Sequence, residues 1–555
     1  MNLSHWIERH ANFTPTKVAL RCGASVWSYR ELHQGVDQTT AMLAAQGVVP
    51  GDRVAHLGYN SAEQLLLLFA CARLGAMFVP LSWRLAPPEH RAMLADCQPR
   101  VLVVEPPFVE TMAAQGDALA GLCCIATGAT PPCWQAWDAA LAQEWPTADT
   151  ARAAALCAPT AKMTLPDAGT PQSPVLLCYT SGSTGSPKGV LLTQEALFFN
   201  AVNSAHMHDL SSADVVLTSL PLFHVGGLNI QTLPALHAGA SVILQPRFEP
   251  AAVIDALENQ GVTLTVLVPA QLDLLAADPR WASLQAPNLR AITTGSTIIG
   301  EASYRKHLRA AVPLLQVYGA SETCPIAAYQ RTADASLHPG SVGKAALHCE
   351  LRLVDDVGQD VAPGESGEIW VRGPNVMKGY WGKPTESQSV LADGWYHTGD
   401  VGHQDAEGFL YVDGRCKDVI ISGGENIYPA ELENILNASA EFAEVAVVGR
   451  AHERWGEAVV AVVVPKAGQH AAPERVLALL EGRVARYKLP REVVVLQSLP
   501  RTALGKLQRE KLKASLAGEG GQRNGGQSPI SLDAGSRRAG NCPESGSDPH
   551  CSALN

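Results

Sequence analysis

The chain is poor in charge and in aromatic rings: of 555 residues, 17% are Asp, Glu, Lys or Arg and 6% are Phe, Trp or Tyr. No dense basic run occurs, and 42 basic residues face 53 acidic ones, for a formal net charge of −11. Nucleic-acid binding needs clustered Lys and Arg to displace counterions, so such a partner has no electrostatic support. A polyanionic ligand would have to be held by local donors. Thirteen cysteines are scattered without a Cys-x-x-Cys pair, and only Cys123 and Cys124 are adjacent. That spacing argues against zinc and suits reduced thiols, mostly small core residues, in a cytoplasmic protein. The start, Met1-Asn2-Leu3-Ser4-His5-Trp6, has neither the basic nor the apolar part of a signal peptide. The most apolar stretch, 65–81, contains Arg73, Gly75 and Pro80. A membrane span needs about 20 clean apolar residues, so no integral membrane segment is expected and this stretch reads as a buried helix leading into a strand.

What is present is a large apolar fraction, 46%, on a chain too long for one core. Ser28-Tyr29-Arg30-Glu31 has the form of a capping box, followed by Leu32, Val36 and Leu43 at helical spacing and Gly47 near the end. Residues 53–57 follow as a strand, and Asn60 or Ser61 can cap the next helix. Short aliphatic runs at 175–178, 215–217, 242–244 and 264–268 alternate with helical patterns, which predicts an α/β fold with mostly parallel sheets. Around Gly414 the character changes. Residues 418 to about 515 carry their own strands (445–448, 459–464, 493–496) and helices, enough for a small α+β domain. From 516 to 555 the chain is rich in Gly and Ser and lacks Phe, Tyr and Trp after Leu516, so a disordered tail is expected.

The central chemical feature is Tyr179-Thr180-Ser181-Gly182-Ser183-Thr184-Gly185-Ser186-Pro187-Lys188-Gly189. Its glycines allow close backbone approach, while its hydroxyls and one lysine supply donors to phosphate oxygens. Apolar strands flank it on both sides, as they would not flank a linker. It is not a P-loop, because Pro187 precedes the lysine and Gly189 stands where that motif has Ser or Thr. Further on come Gln316-Val317-Tyr318-Gly319-Ala320-Ser321-Glu322-Thr323, then Gly394-Trp395-Tyr396-His397-Thr398-Gly399-Asp400. After them stand Gly414-Arg415-Cys416-Lys417-Asp418 with Ser422-Gly423-Gly424-Glu425, and Pro500-Arg501-Thr502-Ala503-Leu504-Gly505-Lys506.

These five motifs, in this order over residues 5 to 515, resemble the adenylate-forming superfamily, which includes acyl-CoA synthetases, peptide-synthetase adenylation domains and beetle luciferases. The resemblance points to the acyl-CoA or aryl-CoA ligase branch. It implies a large N-terminal domain (1–416) of α/β subdomains with a β-barrel-like part, and a small mobile α+β domain (417–515). It further implies that Thr180, Ser181, Gly182, Ser183, Thr184, Gly185 and Lys188 hold the β- and γ-phosphates of ATP. Tyr318 packs on adenine in a segment with Gln316 and Gly319, Ser321 contacts the α-phosphate, and Glu322 helps hold Mg²⁺. A hard ion bound by one carboxylate and phosphate oxygens fits magnesium's habits. Asp400 accepts from the ribose hydroxyls and Arg415 contacts ribose. Lys417 is the hinge, Gly423 and Gly424 let the pantetheine of coenzyme A pass, and Lys506 neutralises charge between the substrate carboxylate and the α-phosphate.

The reaction so implied has two steps: a carboxylate attacks ATP to give acyl-AMP and pyrophosphate, and coenzyme A then takes the acyl group. The acid pocket is implied to be lined by His224, Val225, Gly226, Asn229, Thr294, Gly295, Gly319, Ala320 and Cys324, and Thr294, Gly295 and Ser296 are implied to contact the nucleotide as well. These are small or neutral, which suits a flat aromatic or medium aliphatic acid, and no arginine is placed for a second carboxylate. Thr293-Thr294-Gly295-Ser296 departs from the family's Gly-Gly-Ala, and Gln194 stands where many members have histidine. One competing reading is an amino-acid-activating enzyme that loads a carrier protein. It is disfavoured by His224, which stands where such enzymes offer an aspartate. Another is a non-catalytic nucleotide-binding homologue, disfavoured by Glu322, Lys417 and Lys506 together. The assembly is left open between a monomer and a homodimer.

Overall fold

A computed structural model describes residues 2–142, 166–180, 187–295, 304, 312–422, 425–452, 455–469, 471–501, 507–518 and 530–531. Two large sheets dominate. One has nine strands, with a parallel centre running from Leu314–Tyr318 through Ala291–Thr294, Leu264–Val266, Val215–Thr218 and Ser241–Leu244 to Val18–Cys22. The other has eight, its parallel part ending in the hairpin Pro174–Thr180 and Lys188–Thr193, with Gly379–Tyr380 added at the edge. The expected barrel-like part is a five-stranded antiparallel sheet built on Gly367–Arg372 and Trp395–Gln404.

The helix Ala62–Leu74 buries every residue except Glu63, so it has no polar face to give to water. The expected buried helix and following strand (Met77–Leu81) are therefore both present. Ser61, not Asn60, caps it by accepting from the Gln64 N–H. Asn60 instead donates to the carbonyls of Leu220 (2.9 Å) and Gln245 (3.0 Å) and accepts from the Leu222 N–H (2.8 Å), which ties loops of the two sheets together. The Ser28–Glu31 capping box forms as expected. One continuous apolar core includes Phe69 of this helix, Val54 and Val175 of the eight-stranded sheet, and Val216 and Leu264 of the nine-stranded one.

A six-stranded sheet from Ile420–Ser422 onward has separate cores on its two faces, one around Leu432, Val447 and Leu480 and one around Val448, Val460 and Leu512. Toward the expected tail, the helix Arg509–Gly518 packs Leu512 and Leu516 into that second core, and Ile530–Ser531 pairs with Glu492–Val495; residues 519–529 and 532–555 lie outside the described residues. Among the described residues no helix is long and apolar enough to cross a membrane.

Candidate active site

The phosphate loop joins two paired strands. Tyr179 lies opposite Gly189 and Thr180 opposite Lys188, so the ladder clasps both ends of the loop. Thr180 Oγ1 also donates to the Lys188 carbonyl at 3.4 Å. Ser181, Gly182, Ser183, Thr184 and Gly185 lie outside the described residues. Behind the hairpin, the Tyr179 hydroxyl donates to the Asp96 carboxylate and the Trp381 indole N–H to the Asp96 carbonyl (3.2 Å). Gly189 is closely covered: a Cβ there would stand 2.7 Å from Leu177 Cδ1 and 3.2 Å from Trp381 Cβ. The Lys188 ammonium lies 5.0 Å from the centre of the Tyr380 ring, a cation–π distance.

The strand Leu314–Tyr318 carries the second motif to the same place. At Gly319 a Cβ would fall 1.8 Å from the Pro325 carbonyl oxygen, so only glycine lets the chain fold back there. The turn Ser321–Thr323 then presents Glu322, whose carboxylate accepts from the Tyr380 hydroxyl at 2.8 Å. Gln316 is buried, and its amide donates to the Ser341 carbonyl at 2.9 Å, which braces the strand.

Tyr318 is buried and its hydroxyl donates to Asp400 at 2.9 Å. Antiparallel register puts Asp400 directly opposite Arg415, and the guanidinium meets the carboxylate at 2.9 Å. Burial, with the Asp400 charge second, pushes the Tyr318 phenol well above its ordinary range. The same carboxylate raises the Arg415 pKa. Tyr396 is buried beside Glu322, Tyr380, Asp400 and Tyr318, and burial first, then those charges, keep its phenol protonated. Three neutral phenols thus line the ground between the Glu322 and Asp400 carboxylates.

Several residues expected to line the acid pocket lie on or beside an irregular helix. After the single turn Val225–Gly227 the backbone widens into a π-helix, Leu228–Thr232, a form that concentrates at functional sites. It turns Asn229 inward, where its amide donates to Cys324 Sγ at 3.4 Å. His224 is half-buried, its ring 4.5 Å from that of Phe223. Among the described residues, a Cβ at Gly226 would meet only Ile230 Cδ1, at 3.9 Å, so Gly226 borders space there. Ala320, half-buried, donates its N–H to Thr323 Oγ1 at 2.9 Å.

The Thr293–Gly295 departure now has a structural account. Thr293 Oγ1 lies 2.8 Å from His208 Nε2 and accepts from the Gln231 amide at 3.2 Å. His208 Nδ1 lies 2.8 Å from the Ser204 carbonyl, so this nitrogen carries the proton and Nε2 accepts from the threonine. Complete burial lowers the His208 pKa to about 4 and keeps it neutral. Among the described residues the Thr294 hydroxyl, buried beside it, has no hydrogen-bond partner. A Cβ at Gly295 would lie 2.8 Å from Val317, and Ser296 lies outside the described residues. Gln194 is structural: it accepts from the Leu3 N–H and donates to the Ala72 carbonyl, both at 2.8 Å.

Lys417 is exposed in the single turn Cys416–Asp418, between the five- and six-stranded sheets. Gly423, Gly424 and Lys506 lie outside the described residues. Tyr380, Tyr396 and Asn375 were missed by motif reading, although the stretch Pro374-Asn375 and Gly379-Tyr380-Trp381 offered glycine, amide and aromatic residues that no other role had claimed. Among the described residues no three His, Cys, Asp or Glu side chains gather as a metal cage. Glu322 supplies a single carboxylate, which suits an ion that keeps several waters and arrives with phosphate oxygens.

The AMP-binding enzyme family model matches residues 7–381, and that of the AMP-binding enzyme C-terminal domain matches residues 431–506. The chain belongs to the AMP-binding enzyme family. It is 56% identical over 517 residues to the indoleacetate–CoA ligase of Aromatoleum aromaticum, covering 93% of this chain and 98% of that one. It is 39% identical to a feruloyl-CoA synthase of an Amycolatopsis species, over 92% of this chain and 98% of that one. Among solved structures, ATP-bound MatB from Rhodopseudomonas palustris superposes with a TM-score of 0.80 at 30% identity, over 93% of this chain and 99% of that one.

This AMP-binding enzyme is an AMP-forming acid–thiol ligase. It activates a carboxylic acid with ATP through an acyl-AMP and passes the acyl group to coenzyme A, releasing AMP and pyrophosphate. Mg²⁺ is its metal and, when bound, offsets the charge of the phosphates.

Proposed function

We propose that the acid is an aryl-substituted acetic acid of the indoleacetate type. The observation that carries this reading is the 56% identity to indoleacetate–CoA ligase along 98% of that enzyme's length. The open space before Gly226 supports it, because a flat bicyclic ring needs volume on that wall. The neutral lining of Val225, Asn229, Ala320 and Cys324 supports an acid with a single carboxylate.

In this reading the hairpin loop from Thr180 to Lys188 holds the pyrophosphate that leaves. Tyr318 stacks on adenine, Ser321 donates to the α-phosphate, and Asp400 and Arg415 take the ribose hydroxyls. Glu322 carries the metal. Lys506 neutralises the α-phosphate during adenylation. The segment from 417 to the end of the last helix then turns about Lys417, so that Gly423 and Gly424 border the path of the thiol. The separate cores on either side of residue 417 support the domain division at 1–416 and 417–515. Ten described cysteines are free thiols, which supports a cytoplasmic setting. Assembly as a homodimer is read by light scattering, against a monomer mass of 58.8 kDa.

The test is a panel of indoleacetate, phenylacetate, ferulate, 2-succinylbenzoate and octanoate with ATP and coenzyme A. Indoleacetate is expected to give the highest kcat/KM, by about tenfold or more over octanoate. A higher value for octanoate or 2-succinylbenzoate would reject the assignment while leaving the reaction class intact.

A further inference from the structure

Glu322 sits on a short turn, which by itself would leave a carboxylate free to sample many rotamers. The segment 375–381 removes that freedom at several points. Asn375, fully buried, donates its amide to the carbonyls of Thr323 (2.7 Å) and Ile326 (2.8 Å), while its own oxygen accepts from the Cys349 thiol at 3.0 Å. The Met377 N–H donates to the Glu322 carbonyl at 2.7 Å. Gly379–Tyr380 then joins the hairpin edge opposite Leu191 and Val190, and the Trp381 N–H donates to the Gly189 carbonyl at 2.7 Å. Tyr380 is held in turn: its own N–H donates to Ser387 Oγ at 2.8 Å. From that anchored position its hydroxyl meets Glu322 at 2.8 Å and its ring face meets the Lys188 ammonium at 5.0 Å.

We infer that Tyr380 is a positioning residue for the metal and the phosphates together: its hydroxyl aims the Glu322 carboxylate, and its ring holds Lys188 at the mouth of the phosphate loop. This rests on the reading of Glu322 as the carboxylate that carries Mg²⁺. A phenol is protonated at neutral pH, so the Tyr380 hydroxyl donates and the Glu322 carboxylate accepts. Outer partners of metal-binding carboxylates commonly act this way, by fixing the ligand's direction. Asn375 serves the same strap from the backbone side and carries no charge of its own.

The test compares Tyr380→Phe, Tyr380→Leu and Glu322→Gln in the full-length enzyme. Mn²⁺ is titrated into enzyme holding ATP without acid, and bound metal is read by electron paramagnetic resonance. Tyr380→Phe keeps the ring and loses the hydroxyl, so Mn²⁺ affinity is expected to fall about tenfold or more. Its ATP affinity in EDTA and its thermal unfolding temperature stay at the parent values. Tyr380→Leu also loses the face under Lys188, and its ATP affinity in EDTA falls about two- to fivefold. Parent-like Mn²⁺ affinity in Tyr380→Phe, with weakened affinity in Glu322→Gln, overturns the inference and spares the metal assignment. Unchanged affinity in Glu322→Gln overturns both.

Discussion

Of the three glycines along the acid pocket, Gly295 and Gly319 have no room for a Cβ, whereas Gly226 faces space. The first two are therefore demands of folding and the third is a choice of volume. Gly226→Phe should fold and should lower kcat/KM for bulky aryl acids by about tenfold or more while sparing acetate-sized acids, as read in a coenzyme A-coupled assay. At Lys506 the expected pattern is a split between half-reactions. Lys506→Ala should cut ATP–pyrophosphate exchange by about 10²–10³-fold yet leave thioester formation from supplied acyl-AMP near the parent rate. Equal loss in both would remove its assigned role. The grouping of Tyr318, Asp400 and Arg415 was legible, because each sits in a contiguous motif and the structure brings the three together. Tyr380 was not, since it reaches Glu322 only after a strand 190 residues beyond the phosphate hairpin joins that hairpin's edge. The Gln316 contact was hidden for the same reason: its amide meets a Ser341 carbonyl that only the fold brings to that strand.

At the scale of elements, local chemistry was the better guide. The Ser28 box, the Ser61 cap and the largely apolar, buried helix after it follow from short-range donors and from the lack of any polar stripe. Ser61→Ala should cost about 1 kcal/mol, measured as a shift in the urea midpoint with an unchanged slope. The helix Arg509–Gly518 packs Leu516 into a core, and no local signal in the Gly-rich run that follows announces that. The π-helix at Asn229 was equally hidden. It is stabilised from outside: the Asn200 amide donates to the Asn229 carbonyl at 2.6 Å and the Ser204 hydroxyl to the Ile230 carbonyl at 2.5 Å.

For the whole molecule, two imidazoles, fully buried His208 and half-buried His237, set a pH limit. Burial depresses His208 and His237 to about 4 from an ordinary 6.5, so the unfolded chain binds more protons than the folded one between those values. Stability from them is complete above pH 6.5 and is lost as pH falls toward 4. For fully buried His208 that amounts to about 2 kcal/mol between pH 6.5 and 5. His403, raised by Asp413, acts in the opposite sense, but it is half-exposed and weaker. Thermal scans should therefore show a lower Tm at pH 5 than at pH 7; an equal or higher Tm would contradict neutral burial of His208. The core that includes Phe69 and strands of both large sheets has a separate consequence for opening motions. Neither sheet can expose its inner face without the other, so their slowest backbone amides should exchange with deuterium as one population. Amides of the sheet beginning at Ile420–Ser422, which close over their own cores, should form a second population with its own protection, and a mass spectrum of partly exchanged protein would divide there.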